Sequence, residues 1–161
     1  MINRVPRRQL IEFTRFFAAE VSAGRYPYIG FDEDERWHQR VYRDPRIDIW
    51  LISWLPSQGT ELHDHGGSSG AFTVLRGKLT EAVPSQVGIR DTERPAGVSV
   101  GFGAHYIHDV RNLAAGPAVS VHAYSPPLTT MNYYDVQDTS IVRMRTVATD
   151  DPEPAALPSA S

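Results

Sequence analysis

The feature that most constrains this chain is the segment Gly59-Thr60-Glu61-Leu62-His63-Asp64-His65-Gly66-Gly67-Ser68-Ser69-Gly70-Ala71-Phe72-Thr73-Val74-Leu75-Arg76-Gly77. In extended backbone, residues two apart point to the same side. His63 and His65 therefore present their imidazoles together from a strand-like segment bounded by glycines. A lone histidine in a strand is usually a structural residue. A His-x-His pair, with Gly66 and Gly67 giving close backbone access, reads instead as two ligands of a metal ion. A catalytic metal needs three protein ligands and open positions, whereas a structural one closes its shell with four. The third ligand is sought downstream, in Gly101-Phe102-Gly103-Ala104-His105-Tyr106-Ile107-His108-Asp109-Val110-Arg111-Asn112, where His108 competes with His105. By ligand softness, three imidazoles suit iron, zinc, copper or nickel about equally.

The length of 161 residues fits one domain with a real core. A 41% hydrophobic fraction and a net charge of −3 carry no bulk basic character, so nucleic-acid binding is not expected. There is no cysteine, which removes disulfides, thiolate ligands and a cysteine nucleophile. No apolar run has membrane length, and Met1 to Arg8 lacks the apolar core of a signal peptide, so a cytoplasmic protein is expected; oligomeric state does not follow from the sequence, and a monomer is the default expectation. Residues 8–23 read as an amphipathic helix with Leu10, Phe13, Phe17 and Val21 on one stripe, ended by Gly24 and Pro27. It is expected to pack on the exterior of a β-barrel. Asp32 to Glu35 reads as a solvated acidic turn.

Short strands separated by turns follow, at 38–43, 47–54, 71–75, 78–83, 97–102 and 118–124, with a closing strand near Met131 to Asp135. Many short strands after one helix indicate a mainly β chain, a jelly-roll barrel or double-stranded β-helix. One domain is expected over 1–148, and the Pro-, Ala-, Ser- and acid-rich 149–161 is expected to be a disordered tail.

The two histidine segments resemble the metal motifs of the cupin superfamily, with the His-x-x-x-Asn match selecting His108 and leaving His105 to a loop or the surface. The ligand carboxylate usual in that superfamily falls at Gly70, which implies three histidines and no acid. Ser120-Val121-His122-Ala123-Tyr124-Ser125-Pro126-Pro127 completes a resemblance, over roughly residues 36 to 136, to the cysteine dioxygenase family of thiol dioxygenases, bacterial type.

The resemblance implies Fe(II) held by His63, His65 and His108, with L-cysteine and dioxygen as substrates and cysteine sulfinic acid as product. It implies that Tyr124 points its hydroxyl at the substrate sulfur and dioxygen, oriented by His122 and Ser120; their i, i+2, i+4 spacing places all three on one strand face. Glycine at position 70 is expected to clear space beside the metal for substrate and dioxygen. The animal enzymes carry there a cysteine crosslinked to the residue matching Tyr124, a link impossible in a chain without cysteine. Family members hold the substrate carboxylate with an arginine before the first metal motif. Here His38 aligns with it, Arg40 is two residues along on the same face, and Gln39 keeps open the 3-mercaptopropionate dioxygenases, which use glutamine. Met131 and Tyr133 are further candidates for substrate contact. The Ser125–Pro126 bond is implied to be cis.

Overall fold

The computed structural model describes residues 3–26 and 28–152; Pro27, one of the two predicted helix stops, and residues 153–161 of the predicted tail lie outside them. Helix α1 (Arg7–Ser22) precedes strands β1 (His38–Asp44), β2 (Ile47–Trp54), β3 (Ser69–Arg76), β4 (Lys78–Ser85), β5 (Gly88–Pro95), β6 (Ser99–Phe102), β7 (Asp109–Arg111), β8 (Ala118–Ser125), β9 (Thr130–Gln137) and β10 (Ser140–Ala148). The pairing orders are β1-β2-β8-β3-β6, β5-β4-β7 and β10-β9. The stretch around His63 joins the two smaller sets, bridging to Arg111 through Gly59 and to His108 and Tyr133 through His63 itself.

The middle strands of the large sheet are buried on both faces, and their sequences explain why. In β2, Ile47, Ile49 and Leu51 turn outward, against α1 and the outward residues Val119, Val121 and Ala123 of β8. The alternate residues Trp50, Ile52 and Trp54 turn inward with Phe72, Val74, Phe102 and Tyr124. Near-continuous apolar runs in β2 and β8 are what a strand covered on both sides requires. The sheet is thus one wall of a barrel with α1 laid on its outside, where it packs on β3, β8 and β6.

The stripe by which α1 packs differs from the one read in the sequence. Its fully enclosed residues are Leu10, Thr14, Ala18 and Val21, while Phe13 is 39% exposed. A threonine reaches the core because its hydroxyl bonds Thr73 Oγ1 at 2.8 Å, and Thr73 Oγ1 in turn lies 2.8 Å from Ser99 Oγ. Apolar periodicity alone does not reveal a buried hydroxyl chain. The helix ends at Gly24, whose positive φ of 77° lets its amide turn back to the Val21 carbonyl at 3.0 Å.

Three strands, β5, β7 and β10, were not legible. β5 is mostly exposed and charged, paired only with β4 at a sheet edge, so it has no apolar face to alternate. β7 has three residues, and β10 pairs only with β9. Beyond β10, Thr149 to Pro152 fall in the predicted tail yet are tied to the fold, with Thr149 N bonded to the Thr129 carbonyl at 3.0 Å and Pro152 buried. The Ser125–Pro126 bond is cis. No helix among the described residues is long and apolar enough to cross a membrane.

Leu10 has no exposed surface, so Leu10→Ala is expected to lower stability by about 2–5 kcal/mol in urea unfolding. A loss below about 1 kcal/mol would place α1 outside the cooperative core.

Candidate metal centre

His63 and His108 face each other in neighbouring backbone segments and exchange both hydrogen bonds, His63 N to His108 O at 2.9 Å and His108 N to His63 O at 3.0 Å. Directly opposed residues of such a pair send their side chains to the same face. The His63 and His108 rings are 4.9 Å apart, and His65, two residues along, is 4.9 Å from His63 and 5.2 Å from His108. The three offer ligand atoms that all lie within 4.8 Å of one another. His105 is exposed and takes no part.

The hydrogen bonds assign the ring protons. His63 Nδ1 lies 2.7 Å from the Glu61 carbonyl oxygen, which only accepts, so Nδ1 carries the proton and Nε2 the lone pair. His108 Nδ1 lies 2.7 Å from Glu81 Oε2 in the same sense. His63 Nε2, His108 Nε2 and both ring nitrogens of His65 are buried without a hydrogen-bond partner. Burying such groups unpaired is costly, and one transition-metal ion would take up one nitrogen from each of the three rings. Burial first, and neighbouring imidazoles second, hold His63 and His65 well below the usual histidine range, so both are neutral and able to ligate at pH 7. The donor set therefore fits a metal.

Glu81 lies behind His108 and was not singled out from sequence. Burial works to raise its pKa, but bonds from His108, from Arg94 Nη2 at 2.8 Å and from the Tyr106 hydroxyl at 2.9 Å outweigh it and leave the pKa lowered. An ionised carboxylate thus stands one layer beyond the histidines. Its signal in the sequence is slight: a single acid at the inward phase of β4, two residues after Leu79. Asp64 turns away from the cluster, accepting from Gly66 N at 2.9 Å, Asn132 Nδ2 at 2.9 Å and the Tyr134 hydroxyl at 2.6 Å. It fastens the His-x-His turn to β9.

The space at Gly70 is not open to substrate, contrary to the reading from sequence. A β-carbon there would run into the Phe102 ring and come within 2.9 Å of the Ala123 carbonyl oxygen. Phe102 takes the room and stacks on His65 at 4.8 Å. Glycine at position 70 therefore admits a ring that braces one of the three histidines.

Ser120, His122 and Tyr124 all face inward and are fully buried. Ser120 Oγ is 2.7 Å from His122 Nε2 and receives Trp54 Nε1–H at 2.9 Å, a third partner that the spacing of β8 does not disclose. The Tyr124 ring lies 5.1 Å from His65 and 6.5 Å from His122. Burial, with lesser effects of His108 and Arg36, pushes His122 down to about 3, so it is neutral.

On β1, His38 and Arg40 share the inward face beside Trp50, with the His38 ring 5.5 Å and the Arg40 guanidinium 4.6 Å from it. Gln39 is exposed on the other face. Arg40 Nε donates to the buried Asp48 at 2.9 Å, a partner missed in the sequence, where it sits as one acid within the apolar run of β2. Met131 is enclosed, and Tyr133 beside it lies 6.1 Å from His63. A surface groove of about 620 Å³ between Arg4, Arg43, Gly67 and Pro127 is not lined by the histidines.

A family profile described as cysteine dioxygenase type I matches residues 17–137, a span holding the histidine cluster and Ser120, His122 and Tyr124. The chain belongs to the cysteine dioxygenase type I family. Cysteine dioxygenase type 1 of Rattus norvegicus is 28% identical over 102 residues, covering 56% of this chain and 50% of the rat protein. This chain spans about half the length of the curated relatives it matches. A solved structure from Thermus thermophilus aligns with TM-score 0.55 at 23% identity, over 61% of this chain and 90% of that one. A Klebsiella pneumoniae protein with a double-stranded β-helix domain aligns with TM-score 0.56 at 15% identity, over 74% and 92%. These likenesses show the double-stranded β-helix fold.

Glu81→Gln is expected to lower metal affinity by about 10- to 100-fold in a chelator competition titration; unchanged affinity would remove Glu81 from the support of His108. Acid is expected to destabilise the metal-free protein. His63, His65 and His122 have folded pKa values below the ordinary 6.5, so below that pH the unfolded chain binds more protons than the folded one. Stability then falls as pH drops from about 6.5 toward the value of about 3 for His122, by up to about 1.4 kcal/mol per pH unit for each histidine. A flat unfolding free energy between pH 7 and 5 would contradict their burial as neutral rings.

Proposed function

We propose that this protein is an iron-dependent thiol dioxygenase that converts L-cysteine and dioxygen to cysteine sulfinic acid. The observation that carries the reading is the buried three-histidine cluster with Tyr124 against it, inside the span matched to the cysteine dioxygenase type I family. His63, His65 and His108 would hold Fe(II), which when bound supplies redox chemistry toward dioxygen and a positive charge for the substrate thiolate.

The reaction balances without an external reductant. Thiolate plus dioxygen gives sulfinate, both oxygen atoms ending on sulfur, whose four-electron oxidation matches the four-electron reduction of dioxygen. What remains for the chain is to bind, orient and exclude water. Three neutral imidazoles with no acid among them favour an anionic thiol, while the ionised Glu81 fixes the His108 ring from behind. Trp54 only donates, so Ser120 accepts from it, and the arrangement that also uses the Ser120 proton sends it to His122 Nε2. In that arrangement His122 carries its ring proton on Nδ1 and acts as a neutral brace in the wall that holds Tyr124. The Tyr124 hydroxyl is then the proton donor and hydrogen-bond partner for the reacting sulfur and oxygen. Arg40, with His38, is the group for the substrate carboxylate, and Met131 and Tyr133, the latter 6.1 Å from His63, are the further candidates for substrate contact. A diffusible thiol and dioxygen as reactants suit a single chain in the cytoplasm, where thiols stay reduced.

The testing experiment is oxygen consumption by anaerobically iron-loaded protein, with L-cysteine and 3-mercaptopropionate in parallel and sulfinates quantified by mass. One cysteine sulfinate per dioxygen is expected. Preference for 3-mercaptopropionate would reassign the substrate, and no uptake with either thiol would leave a metal-binding member without oxygenase activity. Tyr124→Phe is expected to keep iron and lower coupled turnover by roughly 10²-fold, the low end of what a positioned proton donor contributes. Unchanged coupled rates would remove the tyrosine from the reaction.

A further inference from the structure

The histidine cluster is at most 1% exposed, so a substrate reaches it only if part of the wall moves. The segment Thr149 to Pro152 lies over the rim that carries the candidate carboxylate groups. Asp150 Oδ2 is 3.7 Å from Arg40 Nη2, and Asp151 Oδ1 is 3.5 Å from His38 Nε2. Two carboxylates of the chain thus stand against the two residues of β1 that face inward beside Trp50. We propose that Asp150 and Asp151 are internal stand-ins for the substrate carboxylate, and that a carboxylate-bearing thiol enters by exchanging with them. The inference rests on the dioxygenase reading for the identity of the thiol, though not for the exchange itself.

Three features favour exchange over a permanent closure. Arg40 Nε is committed to Asp48 at 2.9 Å, whereas Arg40 Nη2 is buried with no hydrogen bond, Asp150 approaching only to ion-pair distance. A ligand carboxylate that reached the usual 2.7–2.9 Å or so of a charge-assisted bond would satisfy that nitrogen better. The pairs are also weakly held: the Asp150 and Asp151 side chains are 72% and 51% exposed, and exposed ion pairs contribute little. Finally, among the described residues the backbone of the two aspartates makes no hydrogen bond to the rest of the fold, although Pro152 after them is buried. Thr149 N bonds the Thr129 carbonyl, and Asp151 N bonds Thr149 Oγ1 at 3.0 Å within the segment itself. This makes the segment a specificity-determining element, because only a thiol with its own carboxylate replaces what the chain gives up.

The test uses the full chain and the variant Asp150→Asn/Asp151→Asn. Propionate, which has the carboxylate but no thiol, is titrated into metal-free protein and followed by tryptophan fluorescence, to which Trp50 beneath Arg40 contributes. The variant is expected to bind propionate about three- to tenfold tighter, the scale of two exposed ion pairs. In the unmodified protein, propionate is expected to speed hydrogen exchange at the Thr149 and Asp151 amides. Unchanged or weaker propionate binding by the variant, or exchange slowed by propionate, would overturn the proposal by making the segment inert or a lid that closes over ligand. With iron-loaded protein, KM for L-cysteine is expected to fall in the variant by a similar factor, whereas KM for cysteamine, which has no carboxylate, stays put; equal shifts for both would also overturn it. Absence of oxygen uptake with every thiol, alongside the expected propionate response, would sink the dioxygenase reading and leave the exchange standing.

Discussion

The reciprocal backbone pair between His63 and His108 is the constraint on which the rest of the structure depends. It brings two distant glycine-containing segments into one register and sends both imidazoles to the same side. On the far edge, Asp64 N bonds the Asn132 carbonyl and Tyr134 N the Leu62 carbonyl, so the same segment is held from β9 as well. A segment too irregular to count as a strand is in this way locked between two others. The three imidazoles it assembles are buried with their lone pairs unanswered, an arrangement that costs stability by itself. A bound metal would offset that cost, which would couple the geometry of the backbone pair to the affinity of the centre.

Around this centre the protein distributes charge in layers. The inner one holds the neutral His63 and His65 together with His108, and the outer one an ionised Glu81 braced by Arg94 and Tyr106. A carboxylate placed behind a ligand orients the ring and raises its basicity without taking up a position on the metal. Phe102, admitted by Gly70, stacks on His65 and keeps the third ring in place by packing alone. The site is therefore supported on three sides by three different interactions: a backbone carbonyl at His63, a carboxylate at His108 and an aromatic face at His65.

The inward face of β1 beside Trp50 is compensated rather than simply basic. Arg40 is shared between the buried Asp48 and the approaching Asp150, with His38 facing Asp151. A lone guanidinium would attract any anion. One already matched by carboxylates of the chain would, on the exchange proposed above, select for ligands able to take their place.

The barrel and its helix were legible because β2, β3 and β8 carry long apolar runs and because the His-x-His spacing has one geometrical consequence in extended backbone. The same local rule puts Ser120, His122 and Tyr124 on one face. By itself the sequence determined the residue types able to ligate a metal and the strands that present them, since both follow from periodicity over a few positions. Only the tertiary structure decided that Phe102 fills the space at Gly70, that Glu81 backs His108, that Trp54 ends the chain of hydrogen bonds from His122, and that Asp48, Asp150 and Asp151 answer Arg40 and His38. It also decided that Thr14 rather than Phe13 enters the core. Each of these is a contact between strands, or between a strand and a helix or terminal segment, far apart in the chain. Their partners are chosen by register and packing, which no local pattern encodes.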